Sequence, residues 1–587
     1  MSEKNLLIKA KRRAGRSKRW LKRKMWERNI GKQYQAWLAE APAATPGSVD
    51  NGVAIAVIVP VFNPPVSYLD ECLASVVNQS AQHWQLVVSD DGSTDADVVK
   101  YLDEFTAKHA ADARVVVLRN VNGGISTACN RGIAAVTTNY FGWLDHDDAL
   151  DPRCFAEFAS IIEAQVGAGK TVDIVYSDED KIDTRGNHFE LYAKPDFSPE
   201  LLLTQMYLCH FTVFRKEIVE AIGGFRPEMD GAQDFDVVLR LLPNLRNVVH
   251  IPKPLYHWRA WSGSTALTID AKPWAQQSTA RAQQEYLNRT FAGDLGAGEV
   301  GVGGSALPSK VPGLNEVHPR ITADHLVSVI IPTIGTPNLG ATGRFVDDAV
   351  ASLREMESKI RLEIIVVTTG EIAPVLGADK QVVYHTESFN FSKAINTGRA
   401  AATGDYVFLL NDDATANEAD PVTLLLELGQ IDGVGITGCK LSYPDGRLQH
   451  VGMVLLPSGP THAWISKPAK EPGYFGSVLT PRNYSAVTAA AMLVRTSVFD
   501  ELGGFDTAFA KDFNDVDFCL RARAAGYRVA WTPYAHFTHY EGATMARKMP
   551  DPAEQALFTS RWADTYALDP YYSPALNPNL QRSYEAL

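Results

Sequence analysis

At 587 residues the chain exceeds what one hydrophobic core fills, so two or three domains are expected. Its composition, 45% apolar and 21% charged, is that of an ordinary soluble globular protein. The net charge of -12 is unevenly spread: residues 1–28 hold twelve Lys or Arg against only Glu3 and Glu27, which leaves about -22 on the rest and excludes general polyanion or nucleic-acid binding. The six cysteines (72, 129, 154, 209, 439, 519) include no Cys-x-x-Cys pair and fit free, mostly buried thiols of a cytosolic protein. No apolar run reaches the roughly 18 residues a membrane span needs. The charged N-terminus has no apolar segment behind it, unlike a secretory signal.

Residues 1–50 are expected to be a basic arm and linker. Lys18-Arg19-Trp20-Leu21-Lys22-Arg23-Lys24-Met25-Trp26 puts Leu21, Met25 and Trp26 on one helical face with cations on the other. That pattern suits an interfacial helix on an anionic bilayer; the alternatives are a solvated tail or a basic patch that meets an acidic surface. Ala41 to Gly52 reads as linker. A first domain is expected over residues 51–290. It opens with an apolar run from Val53, a buried parallel strand closed by turn residues. A helix near Tyr68–Gln79, strands Gln85–Ser89 and Arg114–Leu118, a helix Ser126–Ala135 and a strand Tyr140–Leu144 follow. Alternating strand and helix patterns predict a doubly wound α/β sheet, whose ligands bind outside the carboxyl ends of the strands. Residues 291–325 are rich in glycine and read as a flexible linker or long loop. A second domain is expected over residues 326–587, opening with the strand Leu326–Ile331.

The second domain repeats the first. Val57-Ile58-Val59-Pro60 returns as Val329-Ile330-Ile331-Pro332, and Leu144-Asp145-His146-Asp147-Asp148 as Leu410-Asn411-Asp412-Asp413. Gln233-Asp234-Phe235-Asp236 returns as Asn514-Asp515-Val516-Asp517. Asn130 precedes Asp145 by 15 residues, and Asn396 precedes Asn411 by the same 15. Gly-Gly-Phe stands before each of Asp234 and Asp515. His257 lies 23 residues after Asp234, and His539 lies 24 after Asp515. An ordered series at matched spacing implies two homologous modules.

The acidic clusters carry the chemistry. Carboxylates gathered at a strand end repel unless a cation is present, and hard oxygen ligands suit Mg²⁺ or Mn²⁺ bridging to substrate phosphates. A capped turn is the plainer reading of Asp145-His146-Asp147, but Asp90-Asp91 lies at a second acidic strand end. Asp234 and Asp236 open an amphipathic stretch, where acids favour the helix dipole; a carboxylate fixed there can also take a proton from a hydroxyl. The repeated histidine can complete a metal shell.

Taken together, these motifs resemble two tandem family 2 glycosyltransferases of GT-A fold, over roughly residues 53–265 and 326–545. The resemblance implies that Pro60, Asp90, Asp91 and Asp145 line a nucleotide-sugar site, and that Asp147 and His257 hold Mn²⁺ or Mg²⁺ on the diphosphate. It implies Asp234 as the inverting general base. In the second module Pro332 and Asn411 match the nucleotide-sugar positions, Asp413 and His539 the metal positions, and Asp515 the base. Lys440 to His450 resembles an insert of rhamnosyltransferase-like members that build bacterial surface polysaccharides. The implied partners are nucleotide-sugar donors, a glycan or polyprenyl-linked glycan acceptor and, through residues 1–28, the inner face of the plasma membrane. Trp258 and Trp261 are candidates for stacking on an acceptor sugar, or for core packing.

The second copy departs at one point: Thr368-Thr369 stands where Asp90-Asp91 stands. Two readings follow, a bifunctional transferase, or one active module joined to an inactive one that binds glycan. A pyrophosphorylase would carry a Gly-rich, Arg/Lys-containing loop after the first strand, and Pro60-Val61-Phe62-Asn63-Pro64 offers none.

Overall fold

The computed structural model describes residues 52–261, 273–293, 302–338 apart from 310 and 312, 343–384, 388–541 and 549–579, with Tyr34, Ala36, Leu38 and Tyr584 singly. Apart from Tyr34, Ala36 and Leu38, the basic arm and the expected linker up to Asn51 lie outside the described residues.

The first module is a nine-stranded mixed sheet. Its strands are β1 (Ile55–Val61), β2 (Trp84–Asp90), β3 (Val115–Arg119), β4 (Tyr140–Trp143), β5 (Ala149–Leu150), β6 (Ile174–Ile182), β7 (His188–Tyr192), β8 (Thr212–Arg215) and β9 (Val248–Arg259). The order is β3-β2-β1-β4-β8-β6-β9-β5, with β7 paired to β6. β1 to β4 run parallel, as the alternating pattern predicts. β8 runs antiparallel to both β4 and β6, so the sheet is mixed rather than wholly parallel. The continuous apolar run of β1 follows from burial on both faces. Ile55, Val57 and Val59 pack with Leu69 and Leu73 on one side, while Ala56 and Ile58 pack with Cys129 and Ile133 on the other.

Part of the stretch expected as a flexible linker or long loop carries secondary structure. β10 (Gly304–Pro308) and β11 (Asn315–Pro319) form an antiparallel hairpin. It lies against the helix Pro273–Phe291, whose Gln284 donates to Gly304 O (3.0 Å) and accepts from Ala306 N (3.1 Å). Ala306 and Val317 join an apolar cluster that also holds Phe235 and Leu239 of the first module and Leu428 and Ala530 of the second. Alternate residues of the hairpin bury too little apolar surface for periodicity to announce them.

The second module repeats the topology in ten strands: β12 (Leu326–Thr333), β13 (Arg361–Thr368), β14 (Lys380–Val383), β15 (Tyr406–Leu410), β16 (Ala414–Ala416), β17 (Val434–Ser442), β18 (Leu448–His450), β21 (Arg482–Asn483), β22 (Ala491–Arg495) and β23 (Arg528–His539). A small hairpin, β19 (Met453–Leu456) and β20 (Gly459–His462), is added. The order β14-β13-β12-β15-β22-β17-β23-β16 is that of the first sheet strand for strand. The modules pack on one another. Arg528 donates to buried Glu200 (2.9 and 3.0 Å), Asn483 N donates to Ser198 Oγ (3.1 Å), and Phe475 stacks on Tyr192 at 3.9 Å. All six cysteines are free, and only Cys209 is not fully buried. Among the described residues no helix is long and apolar enough to cross a membrane.

Candidate active sites

Asp90-Asp91, Asp145 to Asp148 and Asn411 to Asp413 stand at the carboxyl ends of β2, β4 and β15. At the end of β2, Asp90 accepts from Ser93 N and from Arg119, both at 3.1 Å. Asp91 accepts from Gly123 N and Gly124 N, both at 2.9 Å, with Arg131 at 3.4 Å. These partners offset two buried charges that would otherwise repel. At the end of β4 the chain turns, with Asp148 N donating to Asp145 O (3.1 Å). Asp147 accepts from Trp261 Nε1 at 2.7 Å, which gives Trp261 a polar partner in the site. Asp148 is fully buried, held by Arg259 N (2.7 Å) and the Tyr256 hydroxyl (2.5 Å). Burial, then the charges of Asp145 and Asp147, push its pKa well up. Pro60 closes β1, and its carbonyl faces His146 Nδ1 at 3.1 Å.

Asp234 lies in the first turn of the helix Gln233–Leu241, and its carboxylate accepts from Phe235 N (2.8 Å). Burial raises its pKa; the Phe235 N–H and positive His210 oppose the rise, and Asp145 adds to it. Asp515 has the same place in the helix Asn514–Ala524, accepting from Val516 N (2.8 Å) and Ala489 N (3.2 Å).

The companion acids of the two helices are committed elsewhere. Arg240 donates to Asp236 (2.9 Å), Ile222 O and Gly224 O, and Arg521 donates to Asp517, Leu502 O and Gly504 O, each of these three at 2.8 Å. This explains the repeated Gly-Gly-Phe. Asn130 exchanges two hydrogen bonds of 2.8 Å with the backbone of Phe225, and Asn396 does so with Phe505 at 2.8 and 2.9 Å. A Cβ on Gly224 or Gly504 would lie 2.5 or 2.6 Å from that asparagine, and both glycines have positive φ. Asn130 and Asn396 are therefore clips that hold the loop before the helix, and the arginines go to the second acid of each helix, leaving the first with backbone N–H donors.

The two histidines differ in setting. His257 Nδ1 lies 2.6 Å from Asp180 Oδ1, and His188 Nδ1 lies 2.7 Å from Asp180 Oδ2. Asp180, His188 and His257 form a group with ligand atoms within 4.8 Å of one another, and it could hold a metal ion. Asp147 is outside that group, so the pair Asp147 and His257 is not gathered into one such cluster. In the second module the expected pair does meet: His539 Nε2 is 3.0 Å from Asp413 Oδ1, with the Asn411 amide 3.2 Å from the same nitrogen. Two adjacent ligands of an octahedral ion at about 2.1 Å stand about 3.0 Å apart, so these residues fit a hard divalent cation. They line a cavity of about 230 Å³ with Pro332, Thr333, Phe389 and Phe391. Thr333 donates to Asp412 (2.6 Å), whose pKa burial raises to about 6. Thr368 pairs with Thr333 across the strands, as Asp90 pairs with Val61; its buried hydroxyl has no hydrogen-bond partner.

Sequence reading missed several groups. Lys194 is fully buried and donates to Ser177 O, Leu208 O, His210 O and Glu179 (2.6 to 3.2 Å). Burial works against the Glu179 charge, yet Lys194 and His210 hold its pKa down at about 2. Burial also opposes charge on His210, but Glu179 holds its pKa up at about 9, and Asp145 and Asp148 reinforce this. The signal was present in Ser177-Asp178-Glu179-Asp180, an acidic run inside a buried strand.

The tandem mixed sheets with acidic strand ends are two GT-A modules. The match to glycosyl transferase family 2 covers residues 56–223 and 328–503, and the chain belongs to that family. The two matches stand in tandem, one in each sheet. The chain is 36% identical over 575 residues to a protein of Sinorhizobium fredii described as uncharacterised, with 94% of this chain and 60% of that one covered. It is 31% identical over 572 residues to an O-antigen biosynthesis protein of Myxococcus xanthus, covering 92% of this chain and 42% of that one. Chondroitin synthase of Pasteurella multocida is 29% identical over 192 residues, 32% of this chain and 18% of that one. The chain thus spans 60% and 42% of the lengths of the first two relatives.

Proposed function

We propose that the protein is a bifunctional inverting glycosyltransferase, with one active site in each module, that extends a surface glycan from nucleotide-sugar donors. The observation that carries this reading is the shared placement of Asp234 and Asp515. Each opens a helix behind an asparagine-clipped Gly-Gly-Phe loop, and each is followed by an acid neutralised by arginine. A carboxylate so placed takes the proton of an acceptor hydroxyl as it attacks the anomeric carbon from the face opposite the diphosphate. One displacement inverts that centre. Such general-base help amounts to roughly 10²- to 10⁴-fold.

Asp145 and Asp147, and Asn411, Asp413 and His539, would hold Mn²⁺ or Mg²⁺. The ion would supply charge neutralisation and orientation of the diphosphate. Asp90 and Asp91 would orient the nucleotide of the first site. The likeness to an O-antigen biosynthesis protein supports a polysaccharide acceptor. The basic arm, Trp20 and Trp26 included, supports a lipid-linked acceptor at the inner membrane face.

A second reading is favoured by the lone buried hydroxyl of Thr368: the second module would bind glycan without transfer. The deciding experiment incubates the protein with Mn²⁺ or Mg²⁺ and a panel of nucleotide sugars, measures released nucleoside diphosphate, and analyses the products of Asp234→Asn and Asp515→Asn. Loss of a different linkage in each variant is expected. An Asp515→Asn product identical to the parent's would leave the second module as a binding module.

A further inference from the structure

We propose that Gln449 is a positioning residue that fixes the tautomer of His539 and so sets how tightly the second module holds its divalent ion. The inference rests on the reading that Asp413 and His539 hold that ion. Gln449 lies in the insert Lys440 to His450, on β18, and is 4% exposed. Its Nε2 donates to Glu541 Oε2 at 2.9 Å. A carboxylate only accepts, so the amide orientation is fixed, and Oε1 is the atom that faces His539 Nδ1 at 2.8 Å. That oxygen also only accepts, so Nδ1 carries the ring proton. Nε2 is thus the nitrogen left facing the site, and in the neutral ring that a metal ion binds it presents a lone pair.

The lone pair points at Asp413 Oδ1 across 3.0 Å and at the Asn411 amide across 3.2 Å. A lone pair and a carboxylate oxygen at that distance repel. A divalent cation ligated by both turns the contact into attraction. The Asn411 Nδ2–H can donate to that lone pair while no ion is bound, and a flip of the amide would offer its oxygen to a cation there. The relay from Glu541 through Gln449 to His539 thus prepares the nitrogen for a metal before any metal arrives, as carboxylate–histidine pairs do in metal sites generally.

The first module reaches the same hydrogen bond by another route. His257 Nδ1 meets Asp180, which lies directly opposite it on β6. One acceptor is a carboxylate and comes from the sheet; the other is an amide and comes from the insert. The insert thereby has a task in the site.

The test uses the full chain carrying Asp147→Ala and His257→Ala, so that the first module's expected ion site and the group Asp180, His188 and His257 are both disabled. Mn²⁺ affinity is measured by the electron paramagnetic resonance of the free ion, and the histidine tautomers by ¹⁵N shifts of selectively labelled protein without metal. Gln449→Leu should weaken Mn²⁺ binding about 10- to 100-fold. It should also release the Nδ1–H tautomer of His539. The swap Gln449→Glu with Glu541→Gln reverses the donor at their contact but still gives His539 an acceptor, so it should bind Mn²⁺ within a few-fold of the parent. If His539→Ala abolishes binding while Gln449→Leu matches the parent in affinity and tautomer, the proposal is overturned. If His539→Ala itself changes nothing, the underlying metal reading fails instead.

Discussion

Asp234→Asn separates chemistry from folding in the first module. The substitution keeps the side-chain shape and removes its charge. The carboxylate accepts one hydrogen bond from Phe235 N at 2.8 Å, which an asparagine carbonyl can accept equally. Burial raises the pKa of Asp234 above the usual carboxylate value, with the Phe235 N–H and His210 opposing and Asp145 adding. The folded state therefore keeps this proton to a higher pH than the unfolded chain does. The resulting destabilisation is absent below the unfolded value of 3.8 and complete above the raised folded value, so at neutral pH the charged form costs stability. The neutral amide removes that cost, and the melting temperature of the variant should equal or exceed that of the parent. The rate should behave oppositely. Loss of a general base costs roughly 10²- to 10⁴-fold, or about 3 to 5 kcal/mol of barrier. In the parent, first-site turnover should fall as the pH drops through the raised Asp234 pKa, at a higher pH than an ordinary carboxylate would dictate. Released nucleoside diphosphate and a thermal melt on the same samples decide the matter. Retention of more than a tenth of first-linkage turnover, or a melt that falls in step with the rate, would refute the reasoning.

Asp236→Ala should do the reverse, because Asp236 is 2% exposed and neutralises Arg226 and Arg240. Removing one partner of such a buried pair costs about 3 to 5 kcal/mol, read as an earlier denaturation transition; an unchanged transition would contradict the pairing of Asp236 with Arg226 and Arg240. Asp147→Ala should remove metal-dependent turnover at the first site, and excess chelator should stop the parent; full turnover in chelator would count against the ion. Deleting residues 1–28 should release the protein from anionic vesicles and slow transfer to a lipid-linked acceptor but not to a soluble analogue. The binding should fade with salt, since the Debye length shrinks from about 10 Å at 0.1 M to about 3 Å at 1 M, and equal co-sedimentation of both forms at low salt would reduce the arm to a tail.

The fold was legible where burial is simplest. β1 is apolar throughout, and β12 is apolar but for Ser328 and Thr333, because both faces are covered, and their ends were read within a residue or two. The repeat was legible because the ordered motifs share one scaffold. The hairpin Gly304–Pro319 was hidden, since glycine count outweighed the buried apolar side chains of Ala306 and Val317. Partners far apart in sequence were hidden as well. His257 meets Asp180 across 77 residues and His539 meets Gln449 across 90, and no local spacing encodes such pairs. Asn130 and Gly-Gly-Phe were visible as markers of the repeat, but their physical reason, a clip closed by two backbone hydrogen bonds, needed coordinates.

The two modules agree and differ in different places. Around Asp234 and Asp515 the agreement extends to individual hydrogen bonds: the asparagine clip, the arginine on two loop carbonyls, and the second acid bound to that arginine all recur. Around the nucleotide end the modules diverge. Asp90 and Asp91 with Arg119, Arg131 and two glycine N–H groups give way to Thr368, Thr369 and a cavity walled by Phe389 and Phe391. The acceptor for the histidine changes from Asp180 to Gln449. Scaffold that merely held a dead module in shape would need no carboxylate left to backbone N–H donors at the helix start. It would have no need for an imidazole nitrogen turned toward Asp413 either. The presence of both, beside a different nucleotide end, supports the proposal that the second site runs the same proton transfer on a donor recognised by different contacts.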